Sequence, residues 1–365
     1  MSLGRYSVII SSGSHLPERV VPNKDFLENE FYDANFNRIE KSNELIIQKF
    51  QEITGINERR YARDDQNASD IAYLAAKDAL ESGSIDKESL DYVIVAHNFG
   101  DVACDNRRSD FVPSIAARVK QLLGISNPMT VAYDIAFGCP GWLQAVIQAN
   151  YYLRSGEAKR ALVIGAETLS RISDPCDIDC MIYADGAGAV VLEARESETP
   201  VGIIAHGSRS DALEYAKLLR MDKSYDPNCG KNDLYLKMFG HKLYKYALQY
   251  VPNLIKEVVD KSNLKIEDIA KVLIHQANEK MDEEILKRIL ELYGVTENVK
   301  EKITELMPMT ISWLGNSSVA TLPTLYDIFS KGNLEAHPPL RGRNIVFASV
   351  GAGMNINALV YKLPE

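Results

Sequence analysis

Three residues in this 365-residue chain combine a reactive side chain with neighbours that would put it to use. Cys139 lies in DIAFGCPGWLQAVIQAN (134–150), between Gly138 and the Pro140–Gly141 pair. The preceding MTVAYDIAF (129–137) reads as a buried strand, and Leu143, Val146 and Ile147 give the following segment an apolar helical face. Gly138 permits a sharp turn and Pro140 suits a first helical turn, so the thiol is expected at a helix start. The unpaired N–H groups and dipole there favour a negative charge by up to ~2 kcal/mol. That would lower a thiol from its ordinary ~8.5 to about 7 without an adjacent base. His275 ends the apolar run KVLIHQAN (271–278), and the carboxyl ends of strands in α/β sheets are where ligands bind. Asn316 follows a glycine in WLGNSSVATLP (313–323), and SVGAGMN (349–355) is a glycine turn between two strands. Such a turn brings backbone N–H groups close to a substrate.

The elements that must position these residues alternate between strands and helices. YSVIISS (6–12), DYVIVAH (91–97), RALVIGAE (160–167) and GAGAVVLEA (186–194) read as strands; SDIAYLAAKDALES (69–82) has helical spacing behind a cap at Asn67 or Ser69. This alternation predicts parallel sheets with helices on their faces. The pattern also repeats. IDKESLDYVIVA (85–96) superposes without a gap on LKIEDIAKVLIH (264–275), at an offset of 179, and each half closes with G-A-G and an apolar strand. A duplicated α/β chain follows, divided as residues 1–197 with the cysteine and 198–365 with the histidine and asparagine. The offset sets Ala96 against His275, which marks the histidine as an acquired function rather than a scaffold requirement.

Composition narrows the field. The net charge of −9 argues against nucleic acid as the main partner. No apolar run approaches the ~18 residues of a membrane span. Five cysteines (an odd number, without a CxxC pair) and an N-terminus without a secretion signal predict free thiols in a reducing cytoplasm. Cys176 and Cys180 read as loop cysteines, so no metal is expected.

The motifs in this order resemble the β-ketoacyl-acyl-carrier-protein synthase III family of the thiolase superfamily. The resemblance runs from SSGSHLPERVVPN (11–23) through TGINERRYA (54–62), ADGAGAVVLEA, HQAN and GNSSVATLP to the C-terminal GAG turn; GCPG stands where the family more often has C-A-G. It implies a thiolase-like five-layer αβαβα fold, a homodimer, and no resident cofactor. It implies catalytic Cys139, His275 and Asn316: an acyl group passes from acyl-CoA or an acyl-carrier protein to the cysteine, then malonyl-acyl-carrier protein is decarboxylated and attacks the acyl-cysteine. The backbone N–H groups of Cys139 and the Ala352 region would hold one oxyanion, and the His275 and Asn316 side chains the other. Val112, in FVPS (111–114), would close the acyl pocket of a partner subunit, and Lys242, Lys245 and Lys280 would face an acidic carrier protein.

Three departures bear on the substrate. Arginines that hold the primer CoA in the family are replaced by Ile53, Ile178 and Lys280, so acetyl-CoA is not the expected primer. This keeps open a specialised-metabolism condensation on the same fold, making resorcinols, quinolones or head-to-head products, or a simple acyl transfer. A cysteine hydrolase using Cys-His-Asn is a more distant alternative, because GCPGW does not match the papain-type cysteine motif. A non-catalytic partner subunit would be expected to lack the triad, and all three residues are present.

Overall fold

A computed structural model describes residues 3–229 and 233–365. Two sheets form its framework. The first has the strand order Gly4–His15, Asp185–Ser197, Arg160–Thr168, Tyr92–His97, Val131–Ala136; the second runs Gly202–Ser210, Asn355–Lys362, Asn344–Gly351, Ile269–Ile274. The second sheet thus repeats four of the five positions of the first, in the same order. The repeat extends to fine detail. The short 3-10 turns Lys87–Ser89 and Ile266–Asp268 precede equivalent strands. Ser84 and Asn263, at the same offset as the sequence repeat, are both left-handed, with φ of 51° and 57°.

The sheets are mixed rather than parallel throughout. Tyr92–His97 runs parallel to both its neighbours, and Ile269–Ile274 runs parallel to Asn344–Gly351. Asp185–Ser197 and Asn355–Lys362 instead run antiparallel to the strands on either side. The two G-A-G segments are also not equivalent. Gly186–Gly188 lies inside a strand, where a Cβ on Gly188 would stand 2.5 Å from the backbone nitrogen of Thr324, whereas 351–353 forms the turn before Asn355–Lys362. One glycine set lets a helix touch a sheet, and the other turns the chain.

Helices fill the layers. Ala68–Ser82, capped by a reciprocal Asn67–Asp70 box, covers the outer face of the first sheet through Ile71, Ala72, Ala75, Ala76 and Ala79. Gly240–Lys261 and Glu279–Leu292 cover the second. Gly141–Ser155 and Thr321–Ser330 are sandwiched between the sheets, burying Trp142, Leu143, Val146, Leu322 and Leu325 against Ile94, Val163, Leu273 and Phe347. The result is the five-layer αβαβα arrangement. Val131–Ala136 is the outermost strand of its sheet rather than a buried one: Val131 is 49% exposed and Met129, just before it, 78%. A fourth apolar cluster around Phe26, Phe50, Ile56, Met181 and Tyr183 roofs the region where the halves meet. No helix among the described residues is long and apolar enough to cross a membrane.

Candidate active site

The chain leaves the strand Val131–Ala136, turns at Gly138 (φ +72°) and enters the helix Gly141–Ser155 with Pro140 as its cap. Cys139 therefore stands at the helix start, one residue before the cap, and Pro140 is the cap rather than a first-turn residue. The turn is packed backbone to backbone against the glycine turn of the other half. A Cβ on Gly138 would lie 2.8 Å from the Ala352 nitrogen, and one on Gly351 would lie 2.6 Å from the Cys139 nitrogen. Only glycines allow the Cys139 and Ala352 peptides to lie this close.

His275 is the residue after Ile269–Ile274, and its N–H extends the sheet by donating to the Ala348 carbonyl at 2.9 Å. Its ring is buried, with Nδ1 lacking a hydrogen-bond partner among the described residues. Burial pulls the imidazole down from 6.5 to about 4, so the ring is neutral at physiological pH. Asn316 is held on both sides of its backbone: its N–H donates to the Ile182 carbonyl at 3.0 Å and its carbonyl accepts from the Ala184 N–H at 2.8 Å. The Ser318 N–H donates to Asn316 Oδ1 at 2.8 Å, which leaves the amide N–H groups as the free end. Ser318 has φ of +53°, a left-handed conformation uncommon for serine, and its hydroxyl donates to Cys139 Sγ at 3.2 Å.

Cys139, His275, Asn316, Ser318 and Ala352 all line one cavity of about 730 Å³. The other walls are chiefly apolar: Ile39, Ile46, Phe50, Ile53, Ile178, Ile182, Leu219, Leu236, Met238, Leu243 and Val350. Enclosure by these walls pushes the Cys139 thiol up, to about 11, against the Ser318 hydrogen bond; nearby Glu167 adds to the rise. The helix dipole opposes this by roughly 1.5 pH units at most. This runs against the expectation of a thiol near 7: enclosure opposes the dipole and strengthens the sulfur's hold on its proton. Nor is His275 a base matched to it, since the two affinities for a proton lie far apart.

The remaining sequence expectations fall variously. Ile53 and Ile178 line the cavity; Lys280, at the start of Glu279–Leu292, does not. Lys242, Lys245 and Lys280 are exposed on two adjacent helices. Lys41, Lys49 and His241, which the motifs did not single out, line the cavity itself. Val112 is 85% exposed and lies outside its own chain's cavity. Cys180 is buried in the apolar roof, and Cys176 is half-buried. The motifs also missed Asn98, a cavity residue, and the buried Glu167 behind it. Neither type is reactive enough to attract notice without its surroundings.

Known proteins resemble this chain in sequence and fold. Residues 133–212 match the family model described as 3-oxoacyl-[acyl-carrier-protein] synthase III, and residues 259–363 match its C-terminal counterpart. The chain is 32% identical to the β-ketoacyl-[acyl-carrier-protein] synthase III of Chelativorans sp. (strain BNC1), over 98% of this chain and 99% of that one. It is 34% identical to the enzyme of the same name from Clostridium perfringens (strain SM101 / Type A), over 97% and 98%. The crystal structure of 3-oxoacyl-[acyl-carrier-protein] synthase III from Aquifex aeolicus VF5 superposes with a TM-score of 0.76 at 30% identity, covering 98% of this chain and 99% of that one. The priming β-ketosynthase of the R1128 polyketide pathway shares the fold at 23% identity, with a TM-score of 0.78 and coverage of 100% and 98%. With relatives of this similarity along nearly its whole length, the chain belongs to the β-ketoacyl-acyl-carrier-protein synthase III family of acyltransferases.

Proposed function

We propose that the chain condenses an acyl thioester with malonyl-acyl-carrier protein through an acyl-Cys139 intermediate, with loss of carbon dioxide. In the first half-reaction the Cys139 sulfur attacks the thioester carbonyl. The new C–S bond forms, and the oxyanion is held by the Cys139 and Ala352 N–H groups. Collapse expels the donor thiol, which leaves with the proton from Cys139. In the second, the malonyl C–C bond to its carboxylate breaks and its electrons pass to the thioester enolate. His275, through Nε2–H of the neutral ring, and the Asn316 amide stabilise the enolate oxygen. The enolate carbon then attacks the acyl-cysteine and releases the sulfur. One oxyanion donor of this kind contributes roughly 2.7–4 kcal/mol.

One observation carries the reading: the sulfur, the neutral imidazole and the oriented amide, drawn from both halves, face a single apolar cavity. The lining supports an acyl chain rather than a two-carbon primer, because its walls are chiefly hydrocarbon. Lys41 and Lys49 at the cavity, with exposed Lys242, Lys245 and Lys280, support an acidic carrier protein as the delivering partner. The exposed edge strand Val131–Ala136, with Val112 and Phe111 beside it on the surface, supports a homodimer that pairs this edge with its copy.

The test is intact-mass analysis after incubation with a panel of acyl-CoAs and acyl-carrier proteins. Cys139→Ala is expected to form no adduct. His275→Ala and Asn316→Ala are expected to acylate normally and to lose malonyl decarboxylation by 10²–10³-fold. An adduct on the Cys139→Ala protein, or acylation lost equally in all three variants, would overturn the assignment.

A further inference from the structure

Behind the cavity, a chain of hydrogen bonds ends on the sulfur. Glu167 is the last residue but one of the strand Arg160–Thr168 and is 1% exposed. One of its oxygens, Oε2, accepts both N–H groups of Asn98, from the backbone at 2.9 Å and from the side-chain amide at 2.5 Å. The same amide nitrogen donates its second hydrogen to Ser318 Oγ at 3.0 Å. Ser318 has one hydroxyl hydrogen, and with its oxygen already accepting, that hydrogen is directed to Cys139 Sγ at 3.2 Å.

The direction of donation decides what the chain does. An amide turned the other way would present Oδ1 to Ser318, draw the hydroxyl hydrogen to itself and leave the sulfur without a donor. Glu167 prevents this: its Oε2 already accepts the Asn98 backbone N–H, so that oxygen faces the amide as an acceptor and cannot satisfy an inverted one. We propose that Glu167 and Asn98 are positioning residues that lock the Ser318 hydroxyl as a donor to Cys139 and so stabilise its thiolate. This rests on the reading of Cys139 as the nucleophile. Ser318 then serves both half-reactions, its hydroxyl on the sulfur and its N–H on Asn316 Oδ1.

Glu167 has two opposed effects on the sulfur. Its charge disfavours a second negative charge nearby, and its oxygen sets the polarity of the donors. Its own ionisation is held near neutrality, about 7, because burial raises it while His97 and the Asn98 bonds oppose, and Asp185 adds a small rise. His97 is itself engaged with Asp134 at 2.9 Å and accepts the Gly100 N–H; Asp185 is engaged with Ala62 and Ser170. Neither replaces Asn98 as the partner of Glu167.

The test separates orientation from charge. The pH dependence of iodoacetamide alkylation at Cys139 is followed on its own peptide by mass spectrometry, so that the other four cysteines do not contribute. Ser318→Ala is expected to raise the midpoint by about one pH unit or more, the effect of losing one hydrogen bond to a charged atom. Asn98→Ala is expected to raise it in the same direction by less, since the hydroxyl is freed rather than removed. Glu167→Gln keeps an accepting oxygen for both Asn98 N–H groups without the charge, and is expected to lower the midpoint. Glu167→Leu removes both and is expected to lie above Glu167→Gln. If Glu167→Leu does not fold, Asn98→Ala decides alone.

A Ser318→Ala profile matching wild type would overturn the proposal. So would a wild-type profile for Asn98→Ala, which would end the chain at Ser318. Equal displacement by Gln and Leu at 167 would reduce that residue to a structural part. Alkylation needs no acyl substrate. Loss of acylation with these profiles intact would sink the synthase chemistry alone, and normal acylation with flat profiles would sink the relay alone.

Discussion

Replacing Gly351 by alanine tests the close approach of the two turns that frame the sulfur. Gly351 has φ of −170°, an extended backbone that alanine adopts freely, so the substitution introduces no conformational strain of its own. The added methyl would stand 2.6 Å from the Cys139 nitrogen, 2.7 Å from Pro140 Cδ and 2.8 Å from Cys139 Cβ. Ordinary contact begins near 3.4 Å, so the two backbones must part by about 0.8 Å. Little of that movement can go into the strand Asn344–Gly351, whose residues from Ile345 onward are buried. It falls instead on the Cys139 turn. A displacement near 1 Å in a reacting group costs about 10²-fold in rate. The expected result is therefore a roughly 10²-fold slower appearance of acyl-Cys139, measured by quenched-flow intact mass, in a protein that still folds. Gly156→Ala is the control. It is strained by φ of +88°, but its methyl meets nothing within 4 Å at the far end of the same helix. It is expected to lose about 1–2 kcal/mol of stability and no acylation rate. Acylation by Gly351→Ala within threefold of wild type would refute the view that the sulfur is placed by backbone-to-backbone packing.

Three further outcomes are expected. His275 binds its proton less tightly in the folded state, at about 4, than at its ordinary 6.5, so the stability it permits is present above 6.5 and is lost as pH falls toward 4. The stability advantage of wild type over His275→Ala, from urea titrations, should therefore grow by up to about 3 kcal/mol between pH 4 and 7; a difference independent of pH would contradict a buried neutral ring. Lys237, in the strand Tyr235–Met238 whose Leu236 and Met238 line the cavity, is fully buried between Asp174 at 2.5 Å and Asp177 at 2.9 Å. Lys237→Met should cost about 3–5 kcal/mol in denaturant titrations, because it strands two carboxylates. Acylation kcat/KM should climb about fourfold per methylene through a short saturated series, from ~0.8 kcal/mol per buried CH₂, until the cavity is filled; a series that declines from acetyl onward would refute the acyl-chain reading.

The sequence made the architecture readable because its strands and helices carry opposite periodicities, and because the duplicated segment kept its register without a gap. Cys139, His275 and Asn316 were legible for a local reason: each sits beside glycines or at a strand end, where ordinary scaffold residues are not required. Three things were not legible. The cavity walls around Cys139, from residues as distant as Ile39 and Val350, raise its proton affinity where the helix start was expected to lower it, and no local pattern reports such enclosure. Asn98 and Glu167, 69 residues apart, are of common type and become significant only where two strands end side by side. The run 129–137 is apolar enough to read as interior, yet it borders the sheet: among the described residues no strand pairs with its outer side.

The enclosure of Cys139 also bears on durability. Hydrogen peroxide oxidises thiolates far faster than thiols, and accessible sulfurs before sheltered ones. A half-buried sulfur that holds its proton more tightly among hydrocarbon walls is a poorer target than Cys104, on the surface. The pocket that slows the nucleophile at rest thereby shelters it between turnovers, and the exposed Cys104 will bear oxidative stress first.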